Sequence, residues 1–186
     1  MLNVVVGEFF EMKKIIFLTV MLFCVLFNFT VFAADYPTYL NNNRNYILCG
    51  GHQGVGWYID RSSLVVKEYN PPHYLIAVNV VIALLSSNGV QLDRVNSPII
   101  NEVETRYYYY NWDDREMYRL SDRDNKYHYI PPVGSLADTG HEFSGELAFY
   151  IAYRTKFYGG RTYYDSSTGR YEKVNFSDSL YAPVVF

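Results

Sequence analysis

Histidine and cysteine are the residue types in this chain that could bind a transition metal or supply a nucleophile together with its base. The four histidines lack the short H-E-x-x-H spacing of catalytic zinc sites; they are His52, His73, His128 and His141. The segment CGGH (49–52) places a thiol three residues before an imidazole, but a cysteine nucleophile also needs a third group that orients the base. We therefore expect Cys49 to be a small buried hydrophobic residue.

Acidic residues cluster at two places where carboxylates could do chemistry. The run DRDN (122–125) resembles the start of a calcium loop, but the glycine and the later glutamate of an EF-hand do not follow it, so we predict a solvated turn. His141, Glu142 and Glu146 lie near a predicted helix start, where the helix dipole alone favours acids. Glycoside hydrolysis needs two carboxylates that face each other across a sugar, which one helix end does not provide.

The chain also lacks the sequence signatures of phosphate-binding loops, dinucleotide sites and nucleophile elbows. We predict no metal, no cofactor and no catalytic residue, and hence a non-enzymatic protein. The alternative is an extracytoplasmic hydrolase whose site is assembled only in three dimensions. A deep pocket that gathers His128, His141 and Glu142 would favour that alternative.

The segment RYYYYNWDDREMYRL (106–120) joins four consecutive tyrosines and a tryptophan to several opposite charges. Tyrosine combines a flat apolar ring with a polar tip, so exposed tyrosines suit binding surfaces. Side chains alternate along a strand, so Tyr107 and Tyr109 must face one way while Tyr108 and Tyr110 face the other. The segment therefore contains two interleaved tyrosine sets.

The loop length of the predicted hairpin decides which residues of the returning strand join each set. A three-residue loop centred on Asp114 separates apolar from polar residues best, whereas a two- or four-residue loop mixes them. The predicted pairs are Trp112 with Glu116, Tyr110 with Tyr118, and Tyr108 with Leu120. This register predicts a core set of Tyr108, Tyr110, Tyr118 and Leu120, and a more solvated set of Tyr107, Tyr109, Asn111, Met117 and Arg119.

Two interpretations of the solvated set remain open. Cross-strand tyrosine and Tyr–Arg pairs stabilise a hairpin by about 0.2–1 kcal/mol each without any ligand. The same side chains could instead form a ligand platform, and the candidate ligand-binding residues are then Tyr107, Tyr109 and Arg119.

The elements that position these residues are short apolar runs separated by turn signals, which predict an antiparallel meander. The predicted strands are 46–50, 54–60, 64–69, 73–85, 106–112, 116–121 and 126–130. Asp60 is expected to accept a backbone N–H of Ser62 or Ser63 and close a tight turn. Pro71 and Pro72 end the next strand, and Asn88-Gly89 predicts a turn. The run 73–85 could also form a buried helix.

Only residues 144–160 have a convincing helical period. Leu147, Tyr150, Ile151, Arg154 and Tyr158 repeat on one face of a helix. Ser144 is the predicted N-cap, and Gly159-Gly160 the predicted end. The pattern of residues 161–186 predicts at most one hairpin, around Ser166 to Gly169. The predicted fold is α+β, an antiparallel β-sheet meander packed against one C-terminal helix.

The N-terminal region predicts export. Lys13 and Lys14 precede an apolar run that ends in Ala33-Ala34, the pattern of a secretory signal peptide over residues 12–33. An uncleaved anchor is the alternative and would be the protein's only membrane contact. Residues 1–11 are interpreted as an over-extended N-terminus, with Met12 the true start. Residues 34–160 are then a single α+β domain, and 161–186 a C-terminal extension.

Composition limits the classes of partner. The net charge is −3, which argues against a nucleic-acid partner because such partners require a basic stripe. Only Cys49 follows the signal segment, so no internal disulfide is expected in an oxidising compartment. We predict a secreted or periplasmic, bacterial protein.

Three segments carry a resemblance to a known family. GWYIDRSSL (56–64), the strand IAVNVV (76–81) and the tyrosine-rich segment 106–120 resemble the surface-adhesin protein E type of small secreted bacterial domain. The resemblance implies extracytoplasmic placement, a twisted antiparallel sheet against a helix, and binding to host or matrix proteins. It carries over no contact residue, because the matching positions shape the sheet. The predicted function is surface binding to a protein or glycan ligand that the sequence does not specify.

Overall fold

Six antiparallel strands form a continuous meander in the order in which they follow one another along the chain. The computed structural model describes residues 36–85, 98–132, 139–165, 168–174 and 176–184. The strands are β1 (Tyr46–His52), β2 (Val55–Asn70), β3 (His73–Leu84), β4 (Ile99–Asn111), β5 (Glu116–Ser121) and β6 (Lys126–Ile130). The predicted signal segment and the predicted Asn88-Gly89 turn lie outside the described residues.

One long helix packs on the sheet, and a smaller hairpin and a short helix follow it. These elements are α1 (Thr139–Tyr153), β7 (Thr162–Asp165), β8 (Arg170–Lys173) and α2 (Asp178–Tyr181). The α+β fold is confirmed, with the six-strand meander against a single long helix and a small second sheet of β7 and β8. No helix among the described residues is long and apolar enough to cross a membrane.

The central strand β3 confirms the prediction for 73–85 and excludes a helix there. The tight turn predicted at Asp60 is wrong, because β2 runs without a break from Val55 to Asn70. The Asp60 carboxylate does accept the backbone N–H of Ser62 at 3.0 Å. This contact lies where the pairing with β3 shifts between Asp60 and Val65, so the local irregularity is a bulge in the strand.

The helix α1 begins and ends earlier than predicted. Ser144 is not its N-cap but a fully buried residue inside it. The helix stops at Tyr153 because Arg154 takes a left-handed conformation with φ of 55°. Gly159 and Gly160 lie further along, in the chain that leads to β7.

The main core lies between α1 and one face of the sheet. Ile76, Tyr108, Tyr110 and Met117 are fully buried there. The helix approaches so closely that a side chain at Gly145 would collide with Met117 and Tyr108. Tyr110 donates its hydroxyl to the Gly145 carbonyl at 2.8 Å, which fixes β4 against the helix. A smaller cluster on the opposite face contains Leu40, Tyr58, Val81 and Ala83.

Residues that follow α1 cover its second side. The Phe143 and Phe176 rings lie 5.5 Å apart, and the Tyr150 and Tyr181 rings 4.8 Å. The buried Glu146 carboxylate accepts the Tyr181 hydroxyl at 2.7 Å. Because both sides of the helix are covered, even its two acidic residues, Glu142 and Glu146, are buried.

Glu146 also holds the chain that leaves the helix. Its carboxylate accepts the backbone N–H groups of Phe157 at 3.0 Å and Tyr158 at 2.8 Å. Burial raises the pKa of Glu146, while these hydrogen bonds act in the opposite direction. The carboxylate therefore has a structural role as a buried acceptor.

Candidate functional site

Five tyrosines of β4, β5 and β6 lie on the face of the sheet that points away from α1. Directly paired residues of neighbouring strands point to the same face, so Tyr109, Tyr118 and Tyr129 lie on one side of the sheet. Tyr107 and Tyr127 lie on the same side, because each is two residues along a strand from one of these tyrosines. We call this surface the tyrosine face, and its members are Tyr107, Tyr109, Tyr118, Tyr127 and Tyr129. Tyr127 and Tyr129, on the edge strand β6, are about half exposed, at 46% and 49%.

Tyr109 lies at the centre of the tyrosine face. Its ring centroid is 6.0 Å from that of Tyr118 and 5.8 Å from that of Tyr127. On its other side it stacks on His73, with centroids 5.9 Å apart and ring planes 13° apart. Tyr118 in turn contacts Tyr129 at 5.6 Å. These four tyrosines therefore form a continuous ring surface across three strands.

Hydrogen bonds hold two hydroxyl groups of this surface in place. The Tyr109 hydroxyl and His73 Nδ1 are 2.7 Å apart. Tyr118 donates to Glu116 Oε2 at 2.5 Å. The hydrogen bond to Glu116, followed by burial, raises the pKa of Tyr118 to about 12, so this phenol stays protonated at neutral pH.

A shallow depression of about 470 Å³ lies on this face. It is lined by Tyr109, Asn111, Glu116, Tyr118 and Tyr127. Aromatic rings there adjoin an amide and a carboxylate, so one ligand could contact flat apolar surface and hydrogen-bonding groups together.

The predicted site residues do not all come together. Tyr107 and Tyr109 lie on the tyrosine face as predicted, but Arg119 pairs with Tyr108 and lies on the opposite face. The predicted register is wrong by one residue: a four-residue loop pairs Asn111 with Glu116 and Tyr110 with Met117.

The same shift moves the other residues of β5. Met117 lies in the core, whereas Tyr118 and Leu120, which were predicted there, are half-buried on the opposite face. The sequence pattern therefore did not identify Tyr118, Tyr127 and Tyr129 as members of the site. The alternation in KYHYI (126–130) was the available signal for Tyr127 and Tyr129.

Arg119 instead lines a second cleft, of about 380 Å³, near the start of α1. We call it the histidine cleft, and its lining includes Arg106, Arg119, Asp124, His128 and His141. Arg106 pairs with Glu104 at 2.8 Å and donates to the Gly140 carbonyl at 2.8 Å. This arginine therefore ties the start of α1 to β4.

The histidine cleft gathers two of the three residues named for the hydrolase alternative. His128 and His141 line it, but Glu142 does not and is buried within α1. His128 Nε2 lies 2.9 Å from Asp124 Oδ2, and the Asp124 carboxylate also accepts a hydrogen bond from Ser121. The carboxylate therefore lies between serine and histidine, whereas a nucleophilic serine needs the histidine next to it.

His141 is held in its neutral form. Burial, followed by repulsion from Arg106 and Arg119, lowers its pKa to about 3. Its Nδ1 atom is buried and has no hydrogen-bond partner. At neutral pH this imidazole therefore cannot serve as a proton donor in its charged form.

Among the described residues, neither Cys49 nor the possible metal ligands form a reactive site. Cys49 is buried, as predicted, and burial raises its thiol pKa to about 12, so it is not a reactive thiolate. Within the part of the chain that the structure describes, no group of three His, Cys, Asp or Glu residues could hold a metal ion.

Comparison of the chain with protein-family models, with curated proteins and with solved structures finds no match. The function is therefore inferred from the geometry of the tyrosine face and the histidine cleft.

Proposed function

We propose that this chain is a non-enzymatic secreted or periplasmic domain that binds a protein or glycan ligand through its tyrosine face. One observation carries the proposal: the rings of Tyr109, Tyr118, Tyr127 and Tyr129 form a continuous, partly exposed surface with neighbouring centroids 5.6–6.0 Å apart.

The chemistry of this surface suits recognition. Tyrosine supplies a large contact area with only two side-chain torsions to fix, so it loses little conformational entropy on binding. Ring contacts and the hydrogen bonds of Tyr109 and Tyr118 already restrict these side chains before a ligand arrives. Both protein side chains and the C–H faces of sugars can lie against such rings.

Stabilisation of the hairpins explains only part of the tyrosine face. Cross-strand pairs account for Tyr109 with Tyr118 and for Tyr118 with Tyr129. They do not require two half-exposed tyrosines on an edge strand, where natural proteins more often place charged residues. The exposure of Tyr127 and Tyr129 therefore supports a role for these side chains in ligand binding.

A binding screen with a matched control tests the proposal. The purified protein and its Tyr127→Ser and Tyr171→Ser variants are applied to arrays of glycans and of extracellular-matrix proteins. Tyr171 is 77% exposed but lies on β8 and is not a member of the tyrosine face. We expect at least one ligand that the wild type and Tyr171→Ser bind and Tyr127→Ser does not. Equal loss in both variants, or no bound ligand on either array, would refute the proposal.

Export is part of the proposal and rests on the signal-peptide pattern of residues 12–33 and on the resemblance to the surface-adhesin protein E type of domain. The exported protein should begin near Ala34 in mass spectrometry. A chain that still begins at Met12 and stays in the membrane fraction would contradict it.

A hydrolase is the second candidate, because the histidine cleft brings His128 and His141 together. A hydrolase would bind its substrate in that cleft, and a binding domain would bind its ligand on the opposite face of the sheet. The location of the bound ligand therefore separates the two.

A further inference from the structure

A third cleft lies between the β4–β5 loop, the end of β6 and the chain that follows α1. Its volume is about 570 Å³. We call it the arginine cleft, and its principal lining residues are Arg115, Tyr129, Tyr158, Arg161 and Thr162.

The four-residue β4–β5 loop directs Arg115 into this cleft. Arg115 has a left-handed backbone with φ of 57°, and its guanidinium lies 3.1 Å from the centroid of the Trp112 ring. The Trp112 ring stacks on Phe149 of α1, with centroids 5.5 Å apart. The Arg161 guanidinium lies 5.6 Å from the same Trp112 ring. Two cations therefore share one aromatic side chain.

These two cations have no matching carboxylate. Among the residues that the structure describes, no Asp or Glu forms an ion pair with Arg115 or Arg161. Arg115 Nη1 is buried and has no hydrogen-bond partner. Asp114 also lines the cleft, but its carboxylate accepts a hydrogen bond from Asn111 Nδ2. A buried guanidinium nitrogen without an acceptor is unfavourable.

The electrostatics of Arg115 favour an anion close to its guanidinium group. Burial, followed by repulsion from Arg161, lowers its pKa to about 10, while Asp113 acts in the opposite direction. A bound anion would offset this repulsion. Tyr158 offers no free hydroxyl, because it donates to the Ile130 carbonyl and accepts the Met117 N–H. Thr162 contributes a hydroxyl group to the lining, and the charged donors of the cleft are the two guanidinium groups.

We propose that the arginine cleft binds an oxyanion, a carboxylate, sulfate or phosphate group, between Arg115 and Arg161. The planar guanidinium fork matches two oxygens of such a group. The oxyanion can be a free ion or the acidic group of a sugar. This site does not depend on the tyrosine face, although Tyr129 borders both.

The test is a titration of the purified protein with sodium sulfate, sodium phosphate, sodium glucuronate and glucose at constant ionic strength, followed by NMR of the arginine side-chain N–H groups. We expect sulfate, phosphate or glucuronate to shift the Arg115 and Arg161 signals saturably, and glucose to leave them unchanged. Stronger binding of glucuronate than of the inorganic ions identifies a sugar acid as the source of the oxyanion, and the reverse order identifies a free ion.

Variants distinguish this site from general charge attraction. Arg115→Gln and Arg161→Gln should each lower the affinity for the anion about tenfold or more. Arg115→Lys retains the charge but lacks the fork, so it should also weaken binding. Arg44→Gln removes an equal charge from an exposed position outside the cleft and should leave affinity unchanged. Thermal melting of each variant shows whether it is folded, and the exposed Arg161 gives the variant least expected to disturb folding.

Two results would overturn the proposal. One is the absence of any saturable Arg115 shift with all three anions up to about 50 mM, a concentration that detects millimolar affinity. The other is equal weakening by Arg44→Gln and Arg161→Gln. The Tyr127→Ser variant should keep its anion affinity, so failure of this site and failure of the tyrosine face are distinguishable.

Discussion

At the residue scale, burial separates tyrosines that are adjacent in sequence. Tyr108 and Tyr110 are fully buried against α1, whereas Tyr107 and Tyr109 are half-buried on the opposite face. Strand alternation predicted this division correctly, because the period of two depends only on local backbone geometry. It could not predict the partners of these residues on β5, because those depend on the loop.

His141 provides a residue-scale prediction of pH dependence. Its pKa is about 3 in the folded protein and about 6.5 when unfolded. As the pH falls below 6.5, the unfolded chain binds a proton at this residue that the folded protein does not, so His141 lowers the free energy of unfolding progressively towards pH 3. Chemical denaturation between pH 7 and pH 3.5 should show a shallower loss of stability for His141→Gln than for the wild type.

The exposed His52 supplies the control for this pH dependence. His52→Gln should follow the wild-type curve more closely than His141→Gln does. Identical slopes for the wild type and His141→Gln would show that His141 is accessible to protons in the folded protein.

At the element scale, the pairing register of β4 and β5 is determined by contacts with α1, which lies outside the hairpin. The three-residue loop was predicted because it separates apolar from polar residues within the hairpin. In the structure, Met117 rather than Leu120 packs at Gly145 of α1, and Arg119 lies on the helix side, where it lines the histidine cleft. Tertiary packing therefore outweighed the pattern within the two strands.

This register makes an element-scale prediction about two apolar residues of β5. Met117→Ala should lower the free energy of unfolding by about 2–5 kcal/mol, because it removes a fully buried side chain and leaves a cavity beneath α1. Leu120→Ala should have a smaller effect, because Leu120 is only half-buried on the other face. Urea denaturation compares them, and a larger effect for Leu120→Ala would support the three-residue register instead.

At the scale of the whole molecule, the chain after α1 contributes to the main core. Val174, Phe176, Tyr181 and Val184 belong to the same buried cluster as the sheet residues. In the sequence, these apolar residues are isolated and show no period, so the pattern predicts only an extension for 161–186. Phe176 and Tyr181 contact Phe143 and Tyr150 of α1, far away in the sequence, so local patterning could not identify them.

A tyrosine pair tests this whole-molecule packing. Tyr181→Ala should lower the free energy of unfolding by about 3–5 kcal/mol, since it removes a buried ring and a hydrogen bond to Glu146. Tyr171→Ala removes the same side chain from a largely exposed position and should change stability by less than about 0.5 kcal/mol. Similar small effects of both substitutions in urea denaturation would indicate that residues 161–184 do not stabilise the domain.

The central claim is that the tyrosine face binds the ligand, and the most direct measurement is NMR of selectively ¹³C-labelled tyrosine rings during titration with the strongest ligand from the array screen. The account predicts shifts at Tyr109, Tyr118, Tyr127 and Tyr129, with the buried Tyr110 and the exposed Tyr171 of β8 unchanged. Histidine ring signals recorded in the same titration report on the histidine cleft. Shifts confined to His128 and His141, with the tyrosine face unchanged, would contradict the account and favour the hydrolase.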